Sequence, residues 1–128
     1  MELIIIMFSG YFYFILITVF LNAIAQLLIK KGLIYNEFVF SFSNIFQNIE
    51  KIIFNPFIIL GLICMVLSMI THIISLSKFD VSYAFPFISI SYVIVFLGGY
   101  LLFKEDLNFL RLTGLLVIIL GTILIAKS

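Results

Sequence analysis

Charge is what this sequence has least of. Among 128 residues there are seven Lys and Arg and six Asp and Glu, and none lies within 11–29, 56–77, 81–103 or 112–126. A soluble domain would carry about 25% charged residues; here the share is 10%. The net charge of +1 leaves no basic field for nucleic acid. Cys64 is the one cysteine; it excludes an internal disulfide and fits a small core residue within a span. Tryptophan is absent and there is one histidine. No Asp or Glu falls inside an apolar run, so a carboxylate switch at the middle of a membrane has no residue to use. An intramembrane Asp pair, Ser-His or Cys-His arrangements with an orienting third group, and a phosphate-cradling glycine loop are all missing, which argues against an enzyme. No cofactor and no metal is expected.

What is present is hydrocarbon-like sequence. Hydrophobic residues make up 65% and the mean hydropathy is +1.37. A bilayer core of about 30 Å takes roughly 20 helical residues to cross. The first three apolar runs meet that length, and the fourth meets it from Asn108 with Arg111 snorkelling toward the headgroups. The expectation is an all-α membrane protein, one domain over residues 1–128, with four transmembrane helices at about 11–29, 56–77, 81–103 and 108–126 in an antiparallel up-down bundle. Met1-Glu2 has no basic n-region of a signal peptide, so the first segment is expected to be retained. Four helices are too few to enclose a chamber, which implies a homodimer or a heterodimer with a similar four-helix subunit.

The links are unequal. Lys78-Phe79-Asp80 and Lys104-Glu105-Asp106-Leu107 are short, whereas the first runs from about 30 to 55. Within it Phe38, Phe42, Ile45, Phe46, Ile49, Ile52 and Ile53 recur at helical spacing, opposite Ser41, Asn44, Gln47, Asn48 and Lys51. This predicts an interfacial helix over about 37–53; a loop packed on the spans is the alternative. Asn55-Pro56 offers a cap and first-turn proline for the second span. Lys30, Lys31, Lys51, Lys104 and Arg111 on the first and third links, against Lys78 and Lys127 elsewhere, favour those two links in the cytoplasm.

Polar residues inside spans mark the protein interior. Thr18, Asn22, Gln26 and Lys30 stand four apart in the first span. Ser68, Thr71, His72 and Ser75 share a face of the second, and Ser82, Phe85, Ser89, Tyr92 and Phe96 a side of the third. Such residues can serve merely as glue between helices, but three stripes on consecutive helices could line one polar chamber. The fourth span, with Gly114 and Gly121 seven apart, reads as a packing or dimerisation helix. His72 has no second ligand at useful spacing and fits a structural histidine better than a proton carrier.

The segment Asp80-Val81-Ser82-Tyr83-Ala84-Phe85-Pro86-Phe87-Ile88-Ser89-Ile90-Ser91-Tyr92-Val93 resembles the third helix of four-span members of the drug/metabolite transporter superfamily. Ala84-Phe85-Pro86 with Ser89 and Tyr92 looks most like the EamA-like subunits that flip undecaprenyl-phosphate-linked aminoarabinose. Ala25-Gln26-Leu27 with Lys30, Lys104-Glu105 and the Gly114/Gly121 spacing are similar to that group. The small multidrug resistance branch shares the architecture but depends on a first-helix glutamate; Asn22 stands at that register, and Ile88 stands where its tryptophan is expected. An amide cannot exchange a proton near neutral pH.

The resemblance implies a transporter of the bacterial cytoplasmic (inner) membrane that flips a polyprenyl-phosphate-linked sugar or related amphiphilic lipid by alternating access. Substrate-binding candidates are Asn22, Gln26, Lys30, His72, Phe85, Ser89 and Tyr92; the partners are membrane lipid and a second subunit. The alternatives are an exporter of small cationic drugs or metabolites, or a non-transporting accessory subunit.

Overall fold

The computed structural model describes residues 5, 9–37 and 41–128. It is all-helical: α1 (Gly10–Tyr35), a 3-10 turn (Phe42–Asn44), α2 (Ile45–Ile53), α3 (Pro56–Leu76), α4 (Val81–Ile88), α5 (Ser91–Phe103) and α6 (Phe109–Lys127). Four segments are long and apolar enough to cross a membrane: α1, α3, α4 and α5 taken together, and α6. At 1.5 Å per residue the 26 residues of α1 extend about 39 Å. The helix therefore runs past the hydrocarbon, and Lys30 and Lys31 sit within its last turns instead of starting a link.

α1 is the axle of the bundle. It packs along α3 and also meets α4 and α5, whereas α6 joins mainly through α4. Two glycines let the α1 and α3 backbones approach. A Cβ on Gly61 would lie 2.7 Å from Ile29 Cγ1 and 3.0 Å from the Ala25 carbonyl oxygen; one on Gly32 would lie 2.5 Å from Ile58 Cγ1. Asn55 closes this contact at its rim. Its Oδ1 accepts the Phe57 and Ile58 amides at 2.9 and 3.3 Å, and its Nδ2 donates to the Gly32 carbonyl at 3.0 Å. One buried amide side chain thus caps α3, as the sequence suggests, and ties it to α1.

The third span is not one continuous α-helix. Pro86 contributes no amide, and downstream the amides of Ser89, Ile90, Tyr92 and Val93 each bond the carbonyl three residues back. This tightened turn separates α4 from α5 near the middle of the span. At the opposite end from Asn55, Phe12 and Ile15 of α1 pack on Ala84 and Phe87 of α4, the two phenylalanines edge to face at 5.8 Å.

Gly114 and Gly121 do not pack within the chain: nothing lies within 4 Å of a Cβ built on either. The close-packing glycines are Gly32, Gly61 and Gly98 instead. Within the first link, where a helix over about 37–53 is expected, the α-helix is shorter: a 3-10 turn at Phe42–Asn44 leads into α2 at Ile45–Ile53, and Phe42, Phe46, Ile49 and Ile53 are exposed. Phe38, the start of that stripe, lies outside the described residues.

Gly61→Leu is expected to destabilise by about 1–3 kcal/mol, because backbone of α1 stands in the way. Asn55→Ala should cost about 1–2 kcal/mol. Gly121→Ala should stay within about 0.5 kcal/mol. Reversible unfolding in micelles checks all three.

Candidate functional site

The polar stripe of α1 meets partners at two levels. At mid-span Thr18 is buried, its hydroxyl 2.7 Å from the Phe14 carbonyl and 2.7 Å from the Thr71 hydroxyl of α3. Ser68 of α3 donates to the Thr18 carbonyl at 3.1 Å. One turn on, Asn22 Nδ2 donates to Ser91 Oγ of α5 at 3.1 Å. Five side chains from three helices thus form a polar belt. Within it, groups of the first two stripes hydrogen-bond one another across α1 and α3.

At the level of the α1 carboxyl end, Lys30 Nζ lies 3.9 Å from Glu105 Oε1, both side chains about half exposed. Such pairs contribute about 0–1 kcal/mol. Glu105 is placed by backbone. Lys104 takes the left-handed conformation at φ 53°, and the Glu105 amide reaches back to the Gly99 carbonyl at 3.2 Å. A Cβ at Gly99 would stand 3.0 Å from Glu105 Oε2, so glycine leaves room for the carboxylate. Between belt and rim, Leu27 lies against Gly98. The α1–α5 seam, with the two helices parallel, therefore runs from an amide–hydroxyl contact through an apolar layer to an ion pair. Lys31 turns elsewhere, its ammonium 4.7 Å from the centroid of the Phe57 ring. Beside the seam an apolar groove of about 540 Å3 is lined by α1 residues including Ile24, Leu27 and Lys31, and by Leu102 and Phe103 of α5.

The seven expected site residues divide. Asn22 and Lys30 lie on the seam. Gln26, between them in sequence, is exposed, as are Phe85 and Tyr92. His72 and Phe85 are neighbours, ring centroids 6.1 Å apart. Ser89 donates to the Pro86 carbonyl and faces Thr122 of α6 at 3.2 Å, away from Asn22. The face of the third span that meets α1 carries Ala84, Phe87, Ser91 and Gly98, not the hydroxyl and aromatic stripe expected from sequence. Ser91 and Glu105 are the residues that sequence reasoning missed as site members. No group of three or more His, Cys, Asp or Glu that could hold a metal occurs among the described residues.

Two curated relatives match. A "probable 4-amino-4-deoxy-L-arabinose-phosphoundecaprenol flippase subunit ArnF" of Shewanella sediminis is 39% identical over 67 residues, covering 51% of this chain and 46% of the relative. A protein of the same name from Proteus mirabilis is 33% identical over 116 residues, 84% of this chain and 85% of its own length. The chain belongs to the ArnF family. Like the family it is a multi-pass protein of the bacterial inner membrane, with four helices able to span it. No protein-family model matches the chain, and no solved structure does.

A double-mutant cycle on Asn22→Ala and Ser91→Ala is expected to give a coupling energy of about 0.6 kcal/mol, within the range for bonds between membrane helices. The same cycle on Asn22 and Ser89 should give none. Unfolding free energies of the four proteins in each cycle supply the measurement.

Proposed function

We propose that this chain is one subunit of a flippase that carries a polyprenyl-phosphate-linked amino sugar across the membrane, and that the α1–α5 seam is the path of the headgroup. The kinship with ArnF subunits carries the cargo class. The geometry supplies a route: a cation at the rim, an amide and hydroxyls at mid-span, and apolar surface beside them for the prenyl chain. Lys30 attracts the phosphate at the rim. Asn22 and Ser91, which bond each other when the seam is closed, exchange that bond for the sugar or phosphate oxygens when it opens. A bare phosphodiester in hydrocarbon would cost many kcal/mol, on the order of tens by solvation alone; stepwise exchange of partners avoids that state. The tightened turn after Pro86 lets α5 swing against α1 while α4 stays packed on Phe12 and Ile15. This is alternating access of the kind that discontinuous helices support.

The partner in this reading is a second four-helix subunit. Gln26 and Tyr92 are polar side chains at span depth left outside the contacts of the single chain, and Gly114 and Gly121 leave a face of α6 open to close approach. A neighbouring subunit satisfies both. No Asp or Glu lies within a span, so a carboxylate switch at mid-membrane has no residue to use.

The test is flipping of a labelled polyprenyl-phosphate sugar in proteoliposomes made from the chain and whatever copurifies with it. Asn22→Ala and Lys30→Ala should each lower the rate about tenfold or more, matching loss of one charge-assisted or buried hydrogen bond of roughly 1.5–3 kcal/mol. Glu37→Gln and Glu50→Gln, on the long link, should change it little. Unimpaired flipping in both seam variants at matched expression would remove the seam from the path.

A further inference from the structure

The Lys30–Glu105 pair stands at the mouth of the seam and is the ion pair that joins α1 to the end of α5. A headgroup entering there must break it. An anionic headgroup alone would take Lys30 and leave Glu105 unpaired beside a second negative charge. A cationic one would strand Lys30 in the same way. A headgroup carrying both an ammonium and a phosphodiester satisfies both side chains at once, replacing one ion pair with two. We infer that Lys30 and Glu105 together form a selectivity site for zwitterionic phosphodiester lipids, Lys30 taking the phosphate and Glu105 the ammonium. This rests on the flippase reading above and deepens it, because it makes the amine of the cargo a recognised group.

Three observations favour a built site over an accidental surface pair. Glu105 is not a free rotor on a loop. The left-handed Lys104 and the bond from its own amide to the Gly99 carbonyl fix its backbone, and the absence of a side chain at Gly99 gives the carboxylate its resting place. The pair is loose, at 3.9 Å, and half exposed, so a ligand can displace it. Finally, the other nearby cation of α1, Lys31, is held over Phe57 and does not compete for Glu105. The apolar groove beside the seam, lined by Ile24, Leu27, Leu102 and Phe103 but not by the pair itself, offers a surface for the lipid chain.

Two sources present this chemistry: an amino sugar on polyprenyl phosphate, and phosphatidylethanolamine. The sugar ring holds its two charges farther apart than the two-carbon ethanolamine linker does. Binding is measured on the purified full chain with its copurifying partners. The probes are undecaprenyl-phosphate-linked 4-amino-4-deoxy-arabinose, its N-acetylated form and phosphatidylethanolamine. The wild type should prefer the free amine over the N-acetyl form by about 2–5-fold, the worth of one half-exposed ion pair. Glu105→Gln should abolish the preference. Lys30→Ala should weaken both sugar lipids and keep the preference. Competition by phosphatidylethanolamine would support the site with bulk lipid as its source; failure to compete would support it with the sugar lipid as its source. Equal binding of the amine and N-acetyl forms by the wild type would overturn the inference without any variant, as would a preference that survives Glu105→Gln. If neither sugar lipid bound the wild type, the flippase reading itself would fall, and this inference with it.

Discussion

A hydroxyl or amide carried into hydrocarbon without a partner costs roughly 2–7 kcal/mol, and the organisation of this protein follows from how α1 meets that constraint. Thr18 and Asn22 are satisfied by helices on two sides, Thr71 and Ser68 from α3 and Ser91 from α5. That fixes the rotation of α1 and the faces its neighbours present. Gly32 and Gly61 follow as the sites where α1 and α3 come close enough for those bonds. α6, whose Thr122 hydroxyl meets Ser89 at the end of α4 and whose glycines are uncovered, is the spanning helix least committed to the single chain among the described residues.

In the proposed path, the bonds that hold the fold are those a polar cargo would borrow. Asn22 and Ser91 are neutral, and each keeps capacity to bond something else. The rim pair is weak and half exposed. In that proposal stability and transport draw on one seam, in contrast to the α1–α3 contact, which Asn55 and the glycines make tight.

Much of this was legible from the residues. Long runs without charge give the four spans, and Asn55-Pro56 announces its cap because a buried helix start must satisfy its amides. The α1 stripe is visible because Thr18, Asn22, Gln26 and Lys30 repeat every four residues, although Gln26 is exposed. The third span was harder. Ser89 and Ser91 lie two apart, on opposite faces of a helix, and hydropathy treats them alike; the packing of Ala84 and Phe87 on Phe12 and Ile15 decides which one faces α1. Glycine spacing pointed to Gly114 and Gly121, since nothing local says that Gly32 and Gly61 face one another across two helices. Glu105 needed the left-handed turn at Lys104, which a lysine does not signal.

The central claim is that the α1–α5 seam must open for the headgroup to cross. Leu27 rests on Gly98 in the middle of it, with Leu27 Cγ 3.2 Å from the position of a Cβ at residue 98, a separation that suits a disulfide between cysteines at these two positions. In a Cys64→Ala background, the Leu27→Cys/Gly98→Cys protein should stop flipping on oxidation and regain it on reduction. Flipping at the reduced rate with the disulfide fully formed would contradict the account.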